Sequence, residues 1–241
     1  MKFISSSILL FALFFVNGAS VTALPAGTEE QSIAPRQNVG SVITVGNRNY
    51  RLIEQLTNEI GASTFRAQED ITNGGPFFAK RPTTSGTAPP AFSTEVANTQ
   101  SASTVLGTNI FVSSGTSLNF FWMITSPAPG GEIQFRWISD RTRFATRTAC
   151  DADMVAARTV IVSQNQRLAN DARTGFVHGD NHPGNWFVPT TGNIQTAVPI
   201  DFGIVVRPPP PAANIVTLVQ TQYAYNADTW QALREVYGIC R

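Results

Sequence analysis

His178, Asp180, His182 and Asn185 stand together in HGDNHPGN (178–185), and Asp201 follows in PIDFG (199–203). The chain has two histidines, and both fall in the first of these stretches. Asn185 and Asp201 offer hard oxygen donors of the kind magnesium prefers over imidazole. Asp180 would lie near such an ion as a carboxylate able to take a proton from an attacking hydroxyl. Together these groups suit phosphoryl transfer, in which positioning and charge neutralisation carry the catalysis. A second reading makes His178 and His182 transition-metal ligands with Asp180 as a third. Imidazoles four apart form a zinc pair when they ride on a helix, whereas Pro183 and Gly184 mark this segment as a turn.

The elements that must position these loops are legible as patterns. NYRLIEQL (49–56), STFRAQEDI (63–71) and GPFFAKRP (75–82) alternate apolar and polar residues between turns, which predicts three short strands with hairpin spacing. AFSTEVANTQSASTVL (91–106) can place Phe92, Val96, Val105 and Leu106 on one helical face, with Ser93 as its cap. IFVSSG (110–115) and SLNFFWMIT (117–125) read as strands again, and SPAPGG (126–131) breaks the chain. Beyond it, DADMVAARTVIVSQNQRLANDA (151–172) predicts the longest helix, with Met154, Val155, Ile161, Val162 and Leu168 as its apolar stripe. A short strand at NWFVPT (185–190), the strand that ends in Asp201, and RPPPP (207–211) follow, then two closing helices at 213–225 and 228–240.

HGDNHPGN followed by IDFG resembles the catalytic loop and the metal-binding Asp-Phe-Gly of the protein-kinase-like superfamily. The spelling is closer to aminoglycoside and choline phosphotransferases and to UbiB-type atypical kinases than to typical protein kinases. YRLIEQLTNEIGASTFRAQED resembles the first two strands and their glycine loop, and PFFAKRP the third strand, with Ala79-Lys80. The resemblance implies an α+β, two-lobed fold: an amino-terminal lobe of antiparallel sheet plus one helix, and a reduced helical carboxyl-terminal lobe. It implies that Lys80 holds the phosphates of ATP, that Glu95 orients Lys80, that Asp180 deprotonates the acceptor, and that Asn185 and Asp201 bind Mg²⁺. His178 would brace the loop, Gly61 would lie over the phosphates, and Met123 and Ile124 would border a hinge that receives adenine. The glycine loop has the single glycine Gly61, and no Ala-Pro-Glu follows Gly203. These departures keep open a second class, a pseudokinase or effector that uses the fold as a binding module.

Residues 1–23 read as a secretory signal, with Lys2, an apolar stretch from Ile8 to Val16 and small residues to Ala23; Asn17 and Gly18 cut that stretch short of a membrane anchor. Residues 24–47 read as a pro-segment or flexible linker, and APRQ resembles the junction at which fungal secreted precursors are trimmed. The remaining expectations are a lobe over 48–126, a second over 127–241, and a disulfide between Cys150 and Cys240 in an exported chain. A net charge of +1 with 14% charged residues gives no basic stripe for nucleic acid. The expected partners are ATP and an unidentified hydroxyl acceptor or host protein, with no membrane anchor.

Overall fold

Apolar side chains at every second position run through the first half of the chain, and in the computed structural model they build one antiparallel sheet. The structure describes residues 39–59, 61–72, 74–127, 131–132, 144–181, 183–188 and 193–223. Strands β1 (Val42–Val45), β2 (Arg48–Glu59), β3 (Ala62–Glu69), β4 (Phe77–Pro82), β5 (Phe111–Ser117) and β6 (Phe120–Thr125) pair in the order β1-β2-β3-β4-β6-β5. Strand β1 lies inside the stretch expected to be linker, so the sheet begins earlier than the alternation from Asn49 indicates. The β5–β6 connection is a two-residue turn in which Leu118 (φ 49°) and Asn119 (φ 62°) are both left-handed, the geometry that matches the twist of a hairpin.

The sheet curls until its outer strands meet, with the Thr44 backbone N–H donating to Ser117 Oγ at 3.0 Å. Ile43, Tyr50, Leu52, Phe65, Trp122 and Ile124 are fully buried on the inward face. Arg81 shares that face, its guanidinium 3.8 Å from the Phe120 ring centroid, and burial pushes it below its ordinary pKa. Because side chains alternate along a strand, Phe78 and Lys80 face the other way, as does Met123 on β6. Helix α1 (Pro90–Leu106) packs Phe92 and Val96 against Met123 on that outer face. Ser93 does not cap this helix: Pro89 stands at the cap position without a side-chain bond, and Pro90 fixes the first helical φ while having no N–H to satisfy. The helix ends at Gly107, which takes the left-handed cap conformation (φ 69°).

The second half is helical, with small sheets between its helices. Strand β7 (Gly131–Glu132) is followed by helix α2 (Arg147–Asn170), β8 (Val177–His178), β9 (Trp186–Val188), β10 (Val198–Pro199), β11 (Val205–Val206) and helix α3 (Ala212–Tyr223). One small sheet runs β10-β9-β7 and another pairs β11 with β8. Helix α2 starts earlier than Asp151, because Thr146 caps it by accepting from the Ala149 N–H at 3.2 Å. Its buried stripe is Met154, Ala157, Ile161, Asn165 and Leu168, spaced three and four apart, which leaves Val155, a residue off that row, 52% exposed. Cys150, Met154, Ile161, Trp186, Ile215 and Val219 form the core between α2, β9 and α3.

Among the described residues there are three α-helices, so the architecture is an antiparallel sheet with helices, α+β. The described residues belong to one compact unit, and none of their helices is long and apolar enough to cross a membrane. The signal segment, His182, the 228–240 helix and Cys240 lie outside the described residues. The expected pairing of Cys150 with Cys240 therefore lies outside them too, while Cys150 itself is fully buried in the first turn of α2.

Candidate functional site

The period of two along β4 sends Lys80 toward α1, where Glu95 meets it: Lys80 Nζ lies 2.6 Å from Glu95 Oε1. The Glu95 side chain is only 9% exposed and that of Lys80 22%, so solvent screens the pair weakly. Lys80 Nζ also lies 3.6 Å from Asp201 Oδ1, and the Asp201 side chain is half exposed. Asp201 has φ 59°, a left-handed backbone that is uncommon away from glycine and that Asp tolerates better than most residues. Its Oδ1 accepts the Gly203 N–H at 3.4 Å, which fixes the turn after it. A Cβ on Gly203 would stand 3.3 Å from Asp201 Oδ1 and 3.6 Å from Glu95 Oε2, so glycine keeps the space between the two carboxylates clear. Asn98, buried on α1, donates from Nδ2 to the Phe202 carbonyl at 3.3 Å. Phe202 itself is buried beside Ala102, Val105, Leu168 and Phe176, which ties α1 and α2 to the segment carrying Asp201.

His178 is fully buried, with its ring 4.9 Å from that of Phe202. Its Nδ1 accepts the Asp180 N–H at 3.1 Å, which leaves Nε2 as the protonated nitrogen that donates to the Ile200 carbonyl at 2.9 Å. With both ring nitrogens engaged, His178 is a brace and not a metal ligand. Asn185 ends a 3₁₀ turn at Pro183–Asn185 and donates from Nδ2 to the Asp180 carbonyl (3.1 Å) and to Asp180 Oδ2 (3.2 Å). The Ile200 N–H donates to the Asn185 carbonyl at 2.9 Å, so the backbone just before Asp201 is tied to both His178 and Asn185.

A cavity of about 180 Å³ opens beside this cluster, lined by Lys80, Glu95, Asp201, Phe78, Met123 and Phe187 among others. Ile124 is not in it, because its register on β6 turns the side chain into the curled sheet beside Ala79. Gly61, at the β2–β3 turn with φ 98°, has open space around it and does not line the cavity. Asp180 and Asn185 also lie outside the lining. The structure thus brings Lys80, Glu95 and Asp201 into one ionic cluster and Asp180 and Asn185 into a neighbouring pair, joined through Ile200.

Magnesium fits this donor set. It takes one or two protein oxygens together with phosphate oxygens, and Asp201 supplies a carboxylate while Asn185, its amide nitrogen turned to Asp180, keeps an amide oxygen available. Among the described residues no three His, Cys, Asp or Glu side chains gather as a metal site. The histidine-based reading turns on His182, which lies outside the described residues.

Residues 138–234 match the ABC1 atypical kinase-like domain. The match takes in α2, both motif stretches and α3, and it supports a place in the protein-kinase-like superfamily. No curated protein matches the chain. Within the ABC1-like region, buried amides that no sequence pattern marks hold the 178–181 loop. Asn165 Oδ1 accepts the His178 backbone N–H at 2.8 Å, and Asn165 Nδ2 donates to Asn181 Oδ1 at 2.8 Å. Asn181 Nδ2 donates to the His178 carbonyl (2.7 Å) and to Gln222 Oε1 on α3 (2.8 Å), and Gln222 Nε2 donates to the Gly179 carbonyl. Asn165 and Asn181 are fully buried.

Gly179 explains why the ABC1-like loop has no side chain between His178 and Asp180. A Cβ there would meet Ile204 Cγ2 at 2.7 Å, the Ile204 carbonyl oxygen at 3.0 Å and its carbonyl carbon at 3.1 Å. Backbone cannot yield cheaply, because the Gly179 N–H is itself bonded to that oxygen at 2.8 Å and β8 pairs with β11 alongside. Gly179→Ala is expected to destabilise the protein by about 1–3 kcal/mol through overpacking. Urea unfolding monitored by circular dichroism checks it, and an unchanged midpoint would contradict the close approach.

Proposed function

We propose that the protein is an ATP- and Mg²⁺-dependent phosphotransferase with a two-lobed kinase-like domain, transferring the γ-phosphate to a hydroxyl of a protein or small molecule. The observation that carries this reading is Lys80 held between Glu95 and Asp201 at the wall of a cavity, with the Asp180–Asn185 pair next to it. Lys80 binds the nucleotide phosphates, and Glu95 fixes where its ammonium stands. Asn185 and Asp201 hold the metal, which when bound neutralises charge on the phosphates. Asp180 accepts the proton of the acceptor hydroxyl as its oxygen bonds to the γ-phosphorus; the bond from that phosphorus to the bridging oxygen breaks, and ADP leaves. The amino-terminal signal makes this a phosphotransferase of the secretory pathway or of the outside of the cell.

One feature favours a second reading, a kinase-like binding module with little transfer activity. The β2–β3 turn carries the lone Gly61 and stands away from the cavity, so fewer backbone amides reach the phosphates. Thermal denaturation with ATP, with and without Mg²⁺, tests the main reading on the wild type and on Asp201→Ala. The expected result is a rise in melting temperature that requires the metal and disappears in the variant. A flat response in both proteins would remove the nucleotide site. Stabilisation without any release or transfer of labelled phosphate would favour the binding module.

A further inference from the structure

Asn58 on β2, Ser63 on β3 and Arg81 on β4 stand opposite one another in the strand register, so a polar row crosses three strands on one face. That face is the inward one, and the row lies at the end of the sheet beside the Gly61 turn, where the Thr83 N–H donates to the Gly61 carbonyl at 3.1 Å. Deeper in the curl the same face is apolar, with Leu52, Phe65, Ala67 and Ala79 fully buried. Ser63 is 2% exposed and Arg81 7%, whereas Asn58 is exposed, so the row runs from the interior to the rim.

The row is rich in donors and short of acceptors. Ser63 Oγ donates to Asn58 Oδ1 at 3.0 Å, which commits the Asn58 oxygen and leaves its amide N–H groups uncommitted. Arg81 Nη1 donates to the Pro82 carbonyl at 3.1 Å, but Arg81 Nε is buried and donates to nothing. Among the described residues no carboxylate forms a salt bridge with Arg81. Its guanidinium carbon lies 3.8 Å from the Phe120 ring centroid and 5.7 Å from those of Phe65 and Trp122. Rings attract the cation through its flat faces, whereas its N–H groups lie in the guanidinium plane and point past them. The aromatic surroundings therefore hold the fork still without occupying it. A buried guanidinium ordinarily has an anion or a full set of acceptors.

We infer that Arg81, with Asn58 at the rim, is a receptor for an oxyanion, a phosphate or carboxylate group that enters this end of the curled sheet. Such a group supplies both things the row lacks, negative charge and paired oxygens that match a planar fork. Because Arg81 meets solvent over so small an area, the anion is small or enters end first. The site is separate from the nucleotide cavity: Lys80, one residue earlier on β4, leaves the sheet on the opposite face and lines that cavity. The inference stands independently of the nucleotide reading.

Arginine Nε–H signals in ¹H–¹⁵N spectra of the full chain test it directly, with orthophosphate or acetate titrated at constant ionic strength. The Arg81 signal, identified by its loss in Arg81→Lys, should shift and saturate in the wild type and equally in Lys80→Met, where the nucleotide cavity has lost its cation. By calorimetry, anion affinity should fall about tenfold or more in Arg81→Lys, which keeps the charge but not the fork, and in Arg81→Met, whose apolar side chain suits the aromatic surroundings. Asn58→Ala should weaken binding less, since its amide stands in solvent. Mg²⁺-ATP affinity should be unchanged in Arg81→Lys. A tighter response to orthophosphate assigns the site to phosphate groups, and a tighter response to acetate assigns it to carboxylates. A wild-type signal that moves with neither anion, shifts that grow without saturating, or wild-type anion affinity in Arg81→Met would overturn the inference. The wild-type titration decides the matter even where a variant fails to fold.

Discussion

Asp180→Asn is expected to slow phosphoryl transfer by about 10²–10⁴-fold, the range lost when a positioned proton acceptor is removed. Nucleotide binding should survive the change. The backbone of residue 180 is held by His178 Nδ1 at 3.1 Å, and the side chain meets Asn185 Nδ2 at 3.2 Å, a contact that the amide oxygen of asparagine can still accept. What disappears is the ability to take a proton. The loss should therefore appear in kcat, with the melting-temperature response to Mg²⁺-ATP retained, because an interaction made only in the transition state lowers kcat and kcat/KM together. Assays with labelled ATP over a panel of hydroxyl acceptors, and with water alone, check this. A variant that keeps wild-type kcat would show that Asp180 is not the acceptor. A variant that also loses the thermal response would make Asp180 part of the phosphate site instead.

The residues proposed for such chemistry stand out in the sequence because they sit in short stretches of fixed spacing, and the supporting strands because alternation survives in isolation. Lys80 and Glu95 meet because β4 has a period of two and α1 lies over one face of the sheet, so the order strand, strand, helix was enough to bring them within reach. The same period shows where a one-residue error enters: Met123 faces the cavity, and Ile124, its neighbour, is turned into the curled sheet. Strand β1 was missed because VITV is four residues long and follows a polar, proline-containing stretch. It is made a strand by pairing with β2 and by closing the curl against β5, which are tertiary effects. Val155 was placed on the wrong side of α2 because the buried row includes Asn165, a polar residue that hydropathy cannot count. The buried amides are the general case. Asn98, Asn165, Asn181 and Gln222 look like surface residues in a sequence, and only the fold shows that each is engaged with backbone around the two motif stretches.

Asn165→Leu is accordingly expected to cost roughly 2–5 kcal/mol of stability, more than most single substitutions. Leucine matches asparagine in branching and heavy-atom count and keeps the helix but is bulkier, so some overpacking adds to the loss that comes from polar groups. Two of them are stranded inside the protein: the His178 N–H, which loses Asn165 Oδ1, and Asn181 Oδ1, which loses Asn165 Nδ2. Asn165 and Asn181 are fully buried and the His178 side chain with them, so water cannot take the vacated places without opening the core, and each stranded group costs about 1–3 kcal/mol. Gln222→Ala should cost less, about 1 kcal/mol, because Gln222 is half-buried and solvent can reach the groups it leaves. The two changes act on one network through Asn181, so the double variant should lose less than the sum of the singles. Urea midpoints at unchanged slope measure all three, and an Asn165→Leu protein within about 0.5 kcal/mol of wild type would mean that these amides are not what holds the loop. Because His178 positions the Asp180 backbone through Nδ1, the Gln222→Ala protein should also lose transfer activity at urea concentrations well below its unfolding midpoint, a separation that a merely global loss of stability would not produce.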